Sequence, residues 1–241
     1  MTKNISQSSP MIAIVGCDGS GKSTVGEQIL ACAKEFAPSV LVHVGKQSGN
    51  FTRSLTAQPV FGRLIKRSFS KHAVKTHSRR AKNQNPTFLP SLAKYVFTIR
   101  RVRRFRRMLA LREKGLIIIT DRFPQLELRA FDGPQLNVEQ GGSFIVRWFA
   151  RREYADFEWM TSHIPDLVIR LNVDIDTAMQ RKPDHDRESL NKKIIAMPKL
   201  TYKGAPIVDI DTSQPLEKVV AEATAALTTL LIKHGYNRSK A

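Results

Sequence analysis

Residues 11–24 read MIAIVGCDGSGKST, and the rest of the chain is organised around them. Met11 to Val15 are apolar throughout, long enough for one buried parallel strand. Gly16-Cys17-Asp18-Gly19-Ser20-Gly21-Lys22-Ser23 then satisfies G-x-x-x-x-G-K-[ST] at every fixed position. Behind it, Val25 to Phe36 predicts a helix with Val25, Ile29, Leu30, Ala33 and Phe36 on one face. Strand, glycine turn and helix are the context in which this motif cradles phosphate. The glycines let the backbone curl until successive N–H groups converge, and the helix N-terminus adds its positive dipole end. A nucleoside triphosphate, with ATP as the expected form, would thus lie against Gly16, Asp18, Gly19, Ser20, Gly21, Lys22, Ser23 and Thr24. Lys22 is expected to reach the β- and γ-phosphates, and the Ser23 hydroxyl to hold Mg²⁺.

The 241 residues, 41% of them hydrophobic, suffice for one α/β domain with a full core. No apolar run approaches the ~18 residues of a membrane span, and the first ten residues lack signal-peptide character. The expectation is a cytoplasmic protein, with the inner face of a membrane as a candidate peripheral location. Cys17 and Cys32 are the only cysteines, so no disulfide framework is implied. Cys17 reads as a packing residue, although its place beside a helix N-terminus could lower its pKa.

Charge is distributed unevenly. Residues 1–120 hold 22 Lys/Arg against 4 Asp/Glu, whereas residues 121–241 hold 17 of each, so the net +18 belongs to the first half. Between Phe36 and Arg112 there are 18 basic residues and no acidic one. Ordinary surfaces mix the signs, so this stretch points to an anionic partner: nucleotide phosphates, a nucleic acid or an anionic membrane surface.

Around the opening motif the chain alternates strands and helices. Residues 1–10 read as a disordered tail and Ser39 to Val44 as a second strand. Residues 51–90 read as a basic, partly mobile, insert-like segment. Ser91 is placed to cap a long helix over Leu92 to Lys114, after Pro90. Leu92, Tyr95, Val96, Ile99 and Val102 give that helix an apolar face, and Arg100, Arg101, Arg103, Arg104, Arg106 and Arg107 fall within it. On a helical wheel Arg103 and Arg106 share the side of Leu92 and Ile99, where a guanidinium needs an anion; Arg101 and Arg104 point away. The alternative is that the face drifts toward Phe105 and Leu109, which frees both. Leu116 to Thr120 is the third strand, with Asp121-Arg122 at the edge where open α/β sheets bind ligands. A helix around Phe144 to Trp159, a strand Leu167 to Val173, a short helix capped by Asp176, a last strand Ile207 to Ile210 and a closing helix from Leu216 to His234 follow. Residues 236–241 read as a tail. The result is α/β, a doubly wound five-stranded parallel sheet with helices on both faces.

These pieces together resemble the thymidylate kinase-like branch of the nucleoside monophosphate kinase family of P-loop NTPases. The likeness covers about residues 11–44 and 91–232. It rests on GCDGSGKST, DRF after the third strand, PDLVIRLNVD, RKPDHDRES and VDIDTSQPLEKVV. It implies a three-layer P-loop kinase fold in one domain, 11–235, with a short arginine-bearing lid at 181–190. It also implies transfer of the ATP γ-phosphate, with Mg²⁺, to a small anionic acceptor. By position, Asp18 would contact the acceptor's sugar hydroxyl, and Asp121 and Arg122 would sit between acceptor and metal. Asp121 would share the metal with Ser23, and Lys22, Arg181 and Arg187 would close over the phosphates. The loop Asp211 to Pro215 would lie near the adenine. Arg100, spaced like the family's substrate arginine, would bind the acceptor with Arg103 and Arg106. A homodimer is among the implied states.

The sequence also departs from that branch. Its R-x-P-G-G-T loop is replaced by HVGKQSGN, and DRF continues into PQLELRAFDGPQ rather than a Ser and a Tyr-Gln pair. Three readings follow: a kinase of a small acceptor such as a nucleoside monophosphate, a kinase of a glycan or lipid-linked anionic precursor at a membrane surface, and a nucleotide-dependent nucleic-acid-binding protein.

Overall fold

In the computed structural model, residues 8–45, 85–128 and 132–238 are described. The first unit, which takes in residues up to 45, 102–133 and 157 onward, is built on a parallel sheet. Its strands are β1 (Met11–Gly16), β2 (Ser39–His43), β3 (Ile117–Asp121), β4 (Leu167–Asn172) and β5 (Ile207–Asp211), in the order β2-β3-β1-β4-β5. All four neighbouring pairs run parallel, with Ile14 opposite Asp121 and Ile169.

The pleat divides the apolar strand residues between two faces. Ile12, Ile14, Ile117, Ile119, Ile169 and Leu171 pack with α1 (Lys22–Lys34) and with the closing helix Leu216–Lys233. Met11, Ala13, Val15, Ile118 and Val168 pack on the other face with Val102, Phe105, Met108, Phe157 and Met160. Three layers result. Each fully buried Ile, Leu or Phe contributes about 1.5–3 kcal/mol. The latter set belongs to α2 (Phe88–Glu113) and α3 (Phe144–Thr161), whose earlier residues form part of the second unit.

Between β4 and β5 stand α4 (Ile175–Arg181) and α5 (Arg187–Ala196), with two 3₁₀ turns, Met197–Lys199 and Tyr202–Gly204. Buried Arg170 on β4 holds this excursion down. It grips Asp209 through two nitrogens, at 2.6 and 2.8 Å, and donates to the carbonyls of Met197, Pro198 and Leu200. The closing helix Leu216–Lys233 is α6.

Several boundaries differ from the sequence expectation. Helix α2 begins at Phe88, not after Ser91. Pro90 sits in its first turn, where a missing N–H costs nothing, and the Ser91 hydroxyl donates to Pro86 O at 2.8 Å. Asp174, not Asp176, caps α4, accepting from Thr177 N. Of the expected tails, residues 1–7 and 239–241 lie outside the described ones, and the described residues next to them are held. Pro10 O accepts from Ile118 N, Ser9 O accepts from Arg112, and Tyr236 is buried beside α6. Of the basic segment 51–90, residues up to 84 lie outside the described ones.

The second unit takes in residues 46–101 and 134–156. Its described core is Tyr95, Leu136, Phe149 and Ala150, with Tyr95 stacked on Phe149 at 5.3 Å between ring centroids. Glu153 is fully buried there. It accepts from the Thr98 hydroxyl (2.8 Å) and the amides of Gln135 (3.1 Å) and Leu136 (2.7 Å).

Candidate active site

The site lies in the first unit at the C-terminal edge of β1 and β3. Gly16 ends β1 so tightly that a Cβ there would lie 2.7 Å from Leu171 O. Gly21 has φ 82°, the left-handed conformation that aims the chain into α1. Lys22, only 8% exposed, donates from Nζ to Cys17 O at 2.6 Å, and burial lowers its pKa. Ser23 and Thr24 are exposed. The buried Cys17 thiol is pushed up to about 11, chiefly by burial, so it is packing rather than a nucleophile.

Asp18 is the junction. One carboxylate oxygen accepts from Arg122 at 2.8 Å and the other from Lys193 on α5 at 3.0 Å. Burial opposes its ionisation, but Lys193 and Arg122 outweigh burial and hold the carboxyl well below the usual range. Arg122 is itself in the left-handed region, φ 69°, just past β3. Such a conformation costs on the order of 1–3 kcal/mol; here it brings the guanidinium between Asp18 and Asp132, the latter at 3.6 Å. A pocket of about 420 Å³ opens beside this junction, lined by Asp18, Asp184, His185, Asp186, Ser189 and Lys193 among others.

Asp121 is hydrogen-bonded to His43 Nδ1 at 2.8 Å. Burial raises its pKa, yet His43, Lys22 and Arg122 together bring it below the ordinary value. Its Oδ1 is buried and has no hydrogen-bond partner among the described residues. An orphaned carboxylate oxygen near Lys22 would suit a hard divalent cation, for which the exposed Ser23 hydroxyl is the other candidate ligand. Among the described residues no three His, Cys, Asp or Glu side chains gather into a metal cluster. Mg²⁺ in phosphate sites takes one or two protein ligands and completes its shell with phosphates and water, so the residues present fit that ion.

The second row of expected cations is split. Arg181 donates to Gly19 O (3.2 Å) and Thr212 O (2.9 Å), joining the phosphate loop to the loop after β5. Arg187 pairs with Asp176 at 2.7 Å in solvent. On α2 the second of the two wheel readings holds, with the packing face drifted toward Phe105. Phe105 and Met108 are fully buried and set the packing face, so Arg103 and Arg106 are exposed, and Arg106 lies over Trp159 at 5.3 Å. Arg101 is 4% exposed, and Arg104 donates to Gly45 O at 2.8 Å. Arg100, in the second unit, is exposed. Sequence reasoning therefore missed His43, Arg104, Asp132 and Lys193. Only the charge run around Arg104 offered any signal: His43 and Lys193 meet their partners across 78 and 175 residues, and Asp132, ten residues past Arg122, lies in a loop whose turn no local spacing reveals.

A parallel sheet of order 2-3-1-4-5 with a glycine-turned phosphate loop behind its central strand defines a three-layer P-loop kinase fold. The chain belongs to the family of the Escherichia coli (strain K12) ATP-binding proteins YghS and YghR. It is 35% identical to YghS over 223 residues, 92% of this chain and 93% of YghS. It is 34% identical to YghR over 224 residues, 92% of this chain and 88% of YghR. No protein-family model matches the chain. Among solved structures, deoxyadenosine kinase from M. mycoides with bound dATP is similar over 91% of this chain and 99% of its own, at 14% identity and a TM-score of 0.47. The fold assignment rests on the sheet order and the phosphate loop, not on that distant likeness.

Proposed function

We propose that the chain is an ATP- and Mg²⁺-dependent phosphotransferase that moves the γ-phosphate to a small anionic acceptor, most simply a nucleoside monophosphate. The observation that carries this reading is the Asp18 junction, which ties the phosphate loop to Arg122 at the β3 edge and to Lys193 on α5. A protein that only held a nucleotide would need the loop, not a network of charges converging from three elements. In the reaction an acceptor oxygen attacks the γ-phosphorus, the bond to the β–γ bridging oxygen breaks, and ADP leaves. Mg²⁺ supplies charge neutralisation at the phosphates. Lys22 would hold the β- and γ-oxygens, Asp121 and Ser23 would hold the cation, and Arg181 and Arg187 would close from the 181–190 lid. Asp18 orients Arg122, and no nucleophile on the protein is required.

For the acceptor, Arg104 and Arg122 are the pair best supported, because Arg104 already reaches the Gly45 carbonyl after β2. That replaces Arg103 and Arg106 in the role. The His43–Asp121 pair and the HVGKQSGN loop make dTMP itself a poor expectation. The test is transfer of label from γ-labelled ATP over a panel of nucleoside monophosphates and phosphorylated sugars. ATP binding without acceptor-dependent transfer, or transfer that survives Lys22→Ala, would defeat the reading.

A further inference from the structure

Helix α3 begins with an outer face that the second unit's core does not explain. At ~100° per residue, Val146, Phe149, Ala150 and Glu153 share one arc, and all four are buried. The opposite arc carries Phe144, 76% exposed, and Trp148, at 49%, with Ile145, also 49% exposed, on the flank between the two arcs. Exposed Arg147, Arg151 and Arg152 are interleaved with them. At the start of α2, Phe88 and Leu89 are 44% and 59% exposed, and Phe88 meets Phe149 at 6.0 Å between centroids. Trp148 leans edge-on against Tyr95, so its half-exposed ring is held in place. Large apolar groups clustered in water mark a docking surface.

We propose that this face of α3, with the first turn of α2, docks on an anionic lipid bilayer. The inference goes beyond phosphoryl transfer and does not depend on it. Aromatic and aliphatic side chains set among arginines are what an interfacial helix presents: the rings enter the headgroup boundary while the guanidiniums stay at the charged surface. Charge selects this occupant over the others. A second copy of the chain would bring one +18 molecule against another. A single-stranded nucleic acid would stack on rings, but Ile145 and Leu89 offer it nothing, whereas acyl chains take them equally well.

The experiment is co-sedimentation of the full chain with phosphatidylcholine vesicles, with and without a quarter of phosphatidylglycerol. Binding is expected to the anionic vesicles only, and to weaken as salt rises from about 0.1 to about 0.5 M. Phe144→Glu, at a site too exposed to disturb folding, should lower the bound fraction at least fivefold. Phe144→Glu with Trp148→Glu should abolish it. Arg147→Glu with Arg151→Glu should reduce it on anionic vesicles. Retained binding in Phe144→Glu would overturn the proposal, since the basic chain elsewhere would then suffice. So would equal binding to neutral vesicles, an oligonucleotide affinity that Phe144→Glu removes while vesicle binding persists, or a dimer in sedimentation that Phe144→Glu dissociates.

Discussion

Asp18 in the phosphate loop and Glu153 on α3 are both carboxylates withdrawn from water, and their surroundings treat them in opposite ways. Asp18 is met by the cations Arg122 and Lys193, and its pKa falls despite burial. Glu153 is met by a hydroxyl and two backbone amides, with Lys94 a weaker influence, and burial leaves its pKa raised. Hydrogen bonds to the chain's own backbone fix a loop, whereas charges gathered from three elements at a strand edge are how a site for anions is prepared. Asp18 is thus held ionised among cations at a strand edge, whereas Glu153 is held chiefly by the backbone it caps.

The contrast is exposed most sharply by Lys22→Ala, expected to lower phosphoryl transfer by about 10³-fold or more, while a urea melt changes little. Glu153→Ala should do the reverse. It removes the acceptor of the Thr98 hydroxyl and of the buried Leu136 amide, at about 3 kcal/mol of stability, with ATP affinity by titration calorimetry unchanged. Asp18→Asn releases both Arg122 and Lys193. It should slow transfer by about 10–100-fold and cost about 1–2 kcal/mol, and equal rates in the two proteins would remove Asp18 from the site.

Acidification tests the same contrast. Asp18 and Asp121 have folded pKa values below their ordinary 3.8, so their contribution is complete above that value and is lost as pH falls below it. For Glu153 the sign reverses. Its folded pKa lies above the ordinary 4.5, so stability from this group declines as pH rises from 4.5 through the raised value. Denaturation of Asp18→Asn should therefore show a shallower acid limb than wild type, and Glu153→Gln a flatter profile just above pH 4.5. The smallest effect belongs to Arg106→Ala. Losing an exposed cation–π contact with Trp159 costs about 0.5–1 kcal/mol and should leave transfer intact, whereas Arg104→Ala should raise the acceptor KM.

Much of the first unit was legible because its signals are local. The phosphate loop, the β3 edge at Asp121-Arg122 and the five strand segments each depend on residues adjacent in sequence, and their boundaries shifted by a residue or two. The arginine run on α2 was not, since a stretch with Val102, Phe105, Met108 and Leu109 offers two apolar faces a fraction of a turn apart. Which of them faces the sheet is decided by Phe105 meeting Phe123 and Trp159, contacts that no spacing on α2 reveals. Glu153 carries no local mark of burial in FARREYADFEW, and its burial follows only from the loop it caps.

The sequence by itself determined the phosphate loop, the parallel α/β alternation and the confinement of positive charge to one half of the chain, because each follows from neighbouring residues or from composition. Tertiary structure alone decided that Asp18 joins Arg122 and Lys193, that Asp121 pairs with His43, and that Arg104 rather than Arg103 or Arg106 turns inward. Those partners stand far apart along the chain, and only the packing of α2 and α5 on the sheet brings them within a hydrogen bond of one another.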